Sequence, residues 1–366
     1  MMKKIIAIFI LCCIARSLEA QSVDSTFGSW GIGINLHYGF LIAHSPTMLH
    51  LQTGHTTGLE VNYIKTFYGK KDWQRAYHFP DVGISFCYLN IGNRNTIGNV
   101  GGIYPFINFP IVFNEKVSFN FRMGCGLGYV PKPFSQYENY KNDAIGSHVN
   151  ALINLRFLLQ VPISNSMIGH CALGLTHFSN GSARTPNLGI NITTASIGLN
   201  KYFGSRTVLI TQQKDSFQKK SSYELFFAGF IKQIYPALGS NYFAGTISGN
   251  YLYQSSVKSE WAAGLDLFYD ASLLPKLENN DLYNTQFDVF RAGVHGGYHL
   301  VVGDFTTGLE IGIYVYDKWK EDGLSYHRVV MNQKISKHMF LCLNLKSHYA
   351  KADFIELGVG WRSAGR

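Results

Sequence analysis

Segment 117–129, VSFNFRMGCGLGY, alternates between two kinds of side chain at every step along the chain. Its odd-numbered positions are apolar or aromatic, and its even-numbered positions are serine, asparagine, arginine and three glycines. Because successive side chains of a β-strand point to opposite faces, the segment is predicted to be a strand with one apolar and one polar face. It is also longer than the roughly 5 to 6 residues of a typical strand in a soluble protein.

The same alternation recurs in segments 30–40, 167–179 and 305–315. A soluble sandwich would bury the apolar faces, whereas a transmembrane barrel turns them toward lipid and keeps the polar faces inside. Strands that span an outer membrane need about 9 to 11 residues, and these segments are long enough. We therefore predict an all-β fold, an antiparallel transmembrane β-barrel. The residues predicted to face its interior are Glu60, Arg122, Asn154, Arg156, Glu224, Asp266, Glu310, Lys346 and Glu356.

The chain has a duplicated plan of about sixteen strands, eight in each half. Segment 291–316 parallels segment 100–129, and both contain a short turn. The halves are joined by the polar segment 205–221, which is longer than a normal periplasmic turn. This slightly favours two successive eight-strand barrels over one wide barrel. The predicted domains are a first barrel at 21–204, a polar linker at 205–221 and a second barrel at 222–366.

The N-terminus resembles an export signal. Lys3 and Lys4 precede an apolar run at 5–15, and Ala20 provides a small residue at the end. A positive region, a short apolar core and a small residue are typical of a cleaved secretory signal peptide, predicted here at residues 1–20. The mature protein is then expected in the outer membrane of a Gram-negative bacterium.

The composition excludes several classes of site. The net charge of +9 suits an anionic partner, but export and the lack of a basic aromatic cluster argue against nucleic acid. No phosphate-binding loop or dinucleotide fingerprint is present in the sequence, so no cofactor is predicted. The cysteines after the predicted signal are widely spaced, which predicts packed free thiols and no metal site. They are Cys87, Cys125, Cys171 and Cys342.

Candidate chemistry lies at the end of segment 167–179. His177 and Ser179 are two residues apart, so in a strand they share a face, with their Cα atoms about 7 Å apart. That face is the apolar one. In a soluble protein the pair would most simply be a buried structural hydrogen bond, whereas in a membrane barrel it would face lipid. Loop lengths place the long connections 41–54, 131–146 and 181–188 outside, and hence the pair at the outer end of its strand.

The residues around the pair resemble a known signature. His177-Phe178-Ser179-Asn180, followed by Pro186-Asn187-Leu188-Gly189, is similar to the motif of the PagL family of outer-membrane lipid A 3-O-deacylases. The resemblance implies an eight-stranded barrel with its His and Ser on the membrane-facing exterior. It covers roughly 21–204 in plan, but the motif covers only 177–191. The second half offers Ser347 and Tyr349 at the matching positions, so it is predicted to be catalytically degenerate.

The resemblance also implies roles for individual residues. His177 would be the general base and Ser179 the nucleophile. The family's glutamate fourteen residues after the His is replaced here by Asn191, whose carbonyl oxygen would orient the imidazole. Predicted oxyanion or substrate-positioning residues are Asn180, Gly181, Asn187 and Gly189. Predicted contacts to the phosphates of lipid A are Arg184, Lys132 and Lys141.

Two other functions are compatible with the sequence. The missing glutamate and the degenerate second half fit a non-catalytic barrel that binds lipopolysaccharide or serves as a pore. An outer-membrane phospholipase would use the same residues on other substrates. The sequence does not predict an oligomeric state.

Overall fold

The computed structural model describes residues 27–114, 116–204, 217–349 and 351–365. It contains two closed antiparallel barrels of eight strands each. The predicted duplication into two successive barrels is confirmed, and the alternative of one wide barrel is wrong. The predicted signal peptide at 1–20 and most of the predicted linker at 205–221 lie outside the described residues.

The first barrel closes because its first strand pairs with its last, with Leu36 opposite Ile197. Its strands are β1 (Phe27–Ile42), β2 (His55–Phe67), β3 (Asp81–Asn90), β4 (Asn99–Phe113), β5 (Ser118–Tyr129), β6 (Val149–Ser164), β7 (Met167–Ser179) and β8 (Ile190–Phe203). A 3-10 helix, Pro46–Leu51, follows β1, and a short helix α1, Asp72–Ala76, follows β2.

The second barrel closes in the same way, with Val359 of its last strand opposite Phe227 of its first. Its strands are β9 (Lys220–Gln233), β10 (Asn241–Gln254), β11 (Ser259–Asp270), β12 (Phe290–Val302), β13 (Phe305–Tyr316), β14 (Ser325–Lys334), β15 (Met339–His348) and β16 (Lys351–Arg362). Helix α2, Leu273–Glu278, and the 3-10 helices Gln286–Val289 and Lys320–Asp322 lie in its loops. In the described part of the chain, no helix is long and apolar enough to cross a membrane.

The two faces of each strand differ as the alternation predicts. In β5, Arg122 is 1% exposed while Tyr129 is 52% exposed, and the nine residues predicted to face the interior are all buried. The exposed side chains of the barrels are mainly aliphatic and aromatic, for example Leu173 in the first and Leu309 in the second. An apolar exterior around a charged interior is the reverse of a soluble protein and fits a lipid environment. Both barrels are therefore transmembrane barrels.

Interlocked charges occupy the interior of each barrel. In the first, the Glu60 carboxylate accepts hydrogen bonds from both terminal nitrogens of Arg156 and from Asn35 Nδ2, the last at 3.0 Å. In the second, Arg328 donates to Glu310 and Glu356, in each case over 2.7 Å. Buried charges need such partners because each loses its hydration. An eight-strand barrel is just wide enough for its side chains, so these networks fill the interior.

An apolar cluster occupies the loop-bearing end of the first barrel. Met48 and Leu51 of the 3-10 helix, Ile145 of the β5–β6 loop and Phe178 of β7 belong to it and are fully buried. Apolar burial is the dominant favourable term in folding, so the cluster holds the loops firmly onto the strand ends. The candidate site is built on these loops and strand ends.

Candidate active site

The candidate site begins on the outward face of β7. Leu173 and Leu175 are exposed on that face, while Ala172 and Thr176 on the opposite face are buried. His177 follows Leu175 on the outward face and is half-buried. Ser179 is only 9% exposed, so it is more covered than an open lipid-facing position would be. The loop that follows β7 accounts for part of this cover, because its Asn187 contacts the serine hydroxyl.

Phe178 fixes the direction of the two polar side chains. Its ring points inward, is fully buried and belongs to the apolar cluster. Gly128 on β5 makes room for it, since a Cβ atom at that position would collide with the ring. With Phe178 held inside, strand alternation turns His177 and Ser179 outward together.

Asn191 sets the tautomer of His177. The two residues are register partners on β7 and β8, and His177 Nδ1 lies 2.6 Å from Asn191 Oδ1. An amide oxygen only accepts hydrogen bonds, so Nδ1 carries the proton and donates it. The other ring nitrogen, Nε2, then keeps its lone pair. A neutral imidazole in this form can act as a base at Nε2.

Asn187 lies beside Ser179, as Asn191 lies beside His177. Its Oδ1 accepts a hydrogen bond of 2.9 Å from the backbone N–H of Asn180, which orients the amide. Its Nδ2 then points toward Ser179 and donates to the hydroxyl oxygen over 3.0 Å. The Asn180 side chain is engaged elsewhere, donating to Ser147 Oγ over 2.7 Å. An N–H donor therefore lies next to the serine oxygen.

Gly189 lies against the imidazole. It has a φ of +87°, a backbone angle that residues other than glycine rarely adopt. A Cβ atom there would lie 2.7 Å from His177 Cε1. Its N–H donates to the Ala144 carbonyl over 2.9 Å, which ties the segment to the β5–β6 loop. This glycine therefore supports the imidazole by close packing, while its own N–H is engaged by Ala144.

The remaining predicted residues lie on loops. Gly181, with a φ of +60°, and the exposed Arg184 belong to the segment Gly181–Thr185, which is part of the second compact unit. Lys132 Nζ donates to the carbonyls of Arg94 and Asn95, over 2.9 and 3.2 Å. It therefore braces the β3–β4 loop. Lys141 lines a polar cleft with Arg94.

The structure adds a residue that sequence reasoning missed. His44 follows β1, whose Ile42 is the register partner of Asn191. His44 Nδ1 lies 2.9 Å from Asn191 Nδ2, and His44 Nε2 lies 2.9 Å from the Leu188 carbonyl oxygen. The only signal that would have revealed it is the pairing of β1 with β8, which a single sequence does not give.

An apolar groove lies on the outward face of the same strands. Leu173 of β7 and Ala195 of β8 are register partners in it, and they are four residues from the pair His177 and Asn191. At the rise of a β-strand this separation is about 13 Å. Besides these two residues, the groove is lined by Leu36, His37, Tyr38, Phe119, Phe157, Leu159, Cys171, Ala172, Ser196 and Ile197. The groove thus lies along the same two strands, β7 and β8, that carry His177 and Asn191.

The described cysteines are free thiols. Cys87 and Cys342 are buried, and Cys171 is exposed. Among the described residues, no group of His, Cys, Asp and Glu is arranged to hold a metal ion.

Several solved structures match the chain at low identity. Neisserial surface protein A matches with a TM-score of 0.33 and 7% identity, over 48% of this chain and 97% of that chain. A mutant porin of Rhodopseudomonas blastica matches with a TM-score of 0.17 and 7% identity, over 92% and 100%. Omp33 of Acinetobacter baumannii matches with a TM-score of 0.17 and 8% identity, over 93% and 100%.

Family models match both halves of the chain. No curated protein matches it. Residues 57–200 match the lipid A 3-O-deacylase (PagL) family, and residues 221–365 match the C-terminal domain described as acyloxyacyl hydrolase. The first match contains the motif around His177 and Ser179. Together the two matches span most of the described chain, so the protein belongs to the PagL family.

Proposed function

We propose that the protein is an outer-membrane serine esterase that removes an ester-linked 3-hydroxyacyl chain from lipid A. Membership of the PagL family supports lipid A as the substrate class. The observation that carries the reaction is the hydrogen bond from His177 Nδ1 to Asn191 Oδ1, because it leaves the other imidazole nitrogen as a base two residues from Ser179. The proposed catalytic domain, residues 21–204, contains the first barrel, and the proposed second domain, residues 222–366, contains the second barrel and lacks this chemistry.

The first half of the reaction transfers the acyl chain to the enzyme. His177 Nε2 takes the proton of the Ser179 hydroxyl while the serine oxygen attacks the ester carbonyl carbon. The tetrahedral intermediate collapses and breaks the bond to the sugar oxygen. That oxygen receives the proton from His177 and leaves as the sugar hydroxyl.

The second half releases the fatty acid. A water molecule gives a proton to His177 and attacks the acyl-serine, and the serine then leaves with that proton. In both halves a negative charge develops on the carbonyl oxygen beside Ser179. Asn187 Nδ2, 3.0 Å from the serine oxygen, is the donor best placed to stabilise it. Asn180 contributes by orienting Asn187, and Gly181 remains a second proposed donor.

The surroundings of the site suit a lipid with an anionic headgroup. The apolar groove along β7 and β8 matches the alkyl part of an acyl chain whose ester lies at His177 and Ser179. The exposed Arg184 and the loop residues Lys132 and Lys141 are the proposed contacts for the phosphates of lipid A. Gly189 keeps the imidazole in place without reaching the substrate.

The test is acyl release by the purified full-length protein in detergent micelles. With lipid A as substrate, we expect release of a 3-hydroxy fatty acid, and no release by the variants Ser179→Ala and His177→Ala. Phospholipid supplied in the same micelles distinguishes a lipid A deacylase from a phospholipase. Equal and negligible release by the wild type and both variants would leave a non-catalytic barrel as the function.

A further inference from the structure

We infer that His44 is a positioning residue that selects the catalytically competent orientation of the Asn191 amide. The inference rests on the proposed function. It concerns the orientation of the side chain beside His177, which the family's glutamate does not need to have fixed. A carboxylate has two equivalent oxygens, whereas an amide has one accepting end and one donating end. An asparagine beside a catalytic histidine must therefore be held the right way round.

The chain of contacts begins at a backbone carbonyl. The Leu188 oxygen can only accept, so His44 Nε2, at 2.9 Å, must carry a proton and donate it. In a neutral imidazole the other nitrogen then has a lone pair and accepts. His44 Nδ1 is that nitrogen, and it lies 2.9 Å from Asn191 Nδ2. The donating end of the amide is thus held on the side of His44.

The consequence reaches His177. With its nitrogen facing His44, Asn191 presents its oxygen to His177 Nδ1 at 2.6 Å. Were the amide reversed, its NH2 group would face Nδ1, which would then have to accept. The proton of a neutral His177 would move to Nε2, and the base facing the substrate would be lost. The Leu188 carbonyl therefore determines the tautomer of His177 through two intervening side chains.

The loop that carries His44 is well fixed. Met48 and Leu51, in the 3-10 helix that follows it, are fully buried in the apolar cluster. Gln52 Nε2 donates to the Leu41 carbonyl over 2.7 Å, which joins the two ends of the loop. Although the His44 side chain is itself exposed, its backbone is held from both sides, as a positioning residue requires.

The experiment compares His44→Ala in two backgrounds, the wild type and Asn191→Asp. Aspartate has the shape of asparagine but no donating end, so it should not depend on His44. We expect His44→Ala to lower kcat for acyl release roughly tenfold in the wild type, as loss of an orienting partner commonly does. In the Asn191→Asp background the same substitution should change kcat little. His44→Gln, which keeps one acceptor and one donor, should retain most of the activity.

His50→Ala is the matched control. His50 lies in the same loop region, is exposed, and its Nε2 contacts the Lys141 carbonyl over 2.7 Å. It has the same kind of backbone contact as His44, so its loss should leave kcat unchanged if the effect of His44 comes through Asn191. An equal loss for His44→Ala in both backgrounds, or no loss in either, would overturn the inference.

A second measurement does not depend on turnover. In protein labelled with 15N-histidine, the His177 ring signals, identified by their absence in His177→Ala, should report a proton on Nδ1. His44→Ala should shift them toward the Nε2–H form, and an unchanged tautomer would contradict the inference. A wild type without Ser179-dependent release would instead refute the proposed esterase, so the two failures are distinguishable.

Discussion

The ends of β7 and β15 are equivalent positions in two barrels of the same plan, and they differ in every feature that the chemistry needs. β7 ends with His177 and Ser179 facing outward and pairs regularly with β8. β15 has Ser347 at the outward position that matches His177, and its register with β16 is irregular between Lys346 and Ser347. The Ser347 hydroxyl contacts the His327 carbonyl at 3.5 Å, and a backbone carbonyl cannot act as a catalytic base.

The interiors behind these two strand ends differ as well. In the first barrel the inward residue is Phe178, packed in an apolar cluster. In the second it is His348, whose Nε2 lies 2.7 Å from the Tyr314 hydroxyl oxygen, beside the ion pair of Lys346 with Asp353. An apolar anchor inside the barrel accompanies a polar site outside it. Under the proposed function, the strand end with its loops would confer the activity, and the barrel fold alone would not.

The largest difference should appear when the outward-facing serine at each of these two strand ends is removed. Ser179→Ala should lower acyl release by about 10³-fold or more, because loss of a nucleophile is the most severe change to such a site. Ser347→Ala should leave the rate unchanged. The rate of 3-hydroxy fatty acid release by the purified variants measures both. A comparable loss for Ser347→Ala would show that the second barrel takes part in catalysis.

Removal of the proposed oxyanion donor should come next. Asn187→Ala should lower kcat by about 10²-fold, as loss of one such donor does in other serine hydrolases, with a smaller change in KM. Asn280→Ala, an exposed amide in a loop of the second barrel, is the control and should have no effect. A rise in KM with kcat preserved would instead indicate that Asn187 binds the substrate.

A smaller loss should follow from crowding the imidazole. Gly189→Ala forces a strained φ and brings a Cβ atom to 2.7 Å from His177 Cε1, so the ring must move. A displacement of this size should lower kcat roughly tenfold to 10²-fold while the barrel still assembles. Gly249→Ala in β10 of the second barrel is the control, since its Cβ would have no atom within 4 Å. Wild-type kcat in Gly189→Ala would refute the packing role.

The smallest expected effect is an increase in kcat. Asn191→Asp replaces a neutral acceptor by a charged one, which stabilises the imidazolium formed during attack. Hydrogen bonds to charged groups exceed neutral ones by about 1 kcal/mol, which corresponds to a roughly fivefold rise in kcat. Steady-state kinetics on lipid A measures it. A lower kcat would contradict the expectation that a negative charge beside His177 improves the base.

Much of the fold was predictable from the sequence because alternation is a local property. Residue parity along the strands predicts the apolar and polar faces of β5 and β7, and the burial of Glu60, Glu310 and Glu356. Strand length and the polar connection predict the division into two barrels. Because lipid lies outside the barrel and a narrow interior lies inside it, the apolar face of each strand must point outward and the polar face inward.

The site was predictable only in part. His177, Ser179 and Asn191 lie close together in the sequence or on adjacent strands, so parity and a motif were sufficient to nominate them. His44 is remote in sequence and reaches Asn191 through the closure of the barrel. The engagement of the Gly189 N–H by Ala144 depends on how the β5–β6 loop folds over the strand ends, which no local pattern encodes.

The most direct test of the account is mass spectrometry of lipid A from cells that express this chain, compared with cells that express Ser179→Ala. Both proteins should be found in the outer membrane in equal amounts. The account predicts that lipid A loses the mass of one hydroxyacyl chain only in cells with the intact serine. Identical lipid A in the two strains would contradict the proposed deacylase.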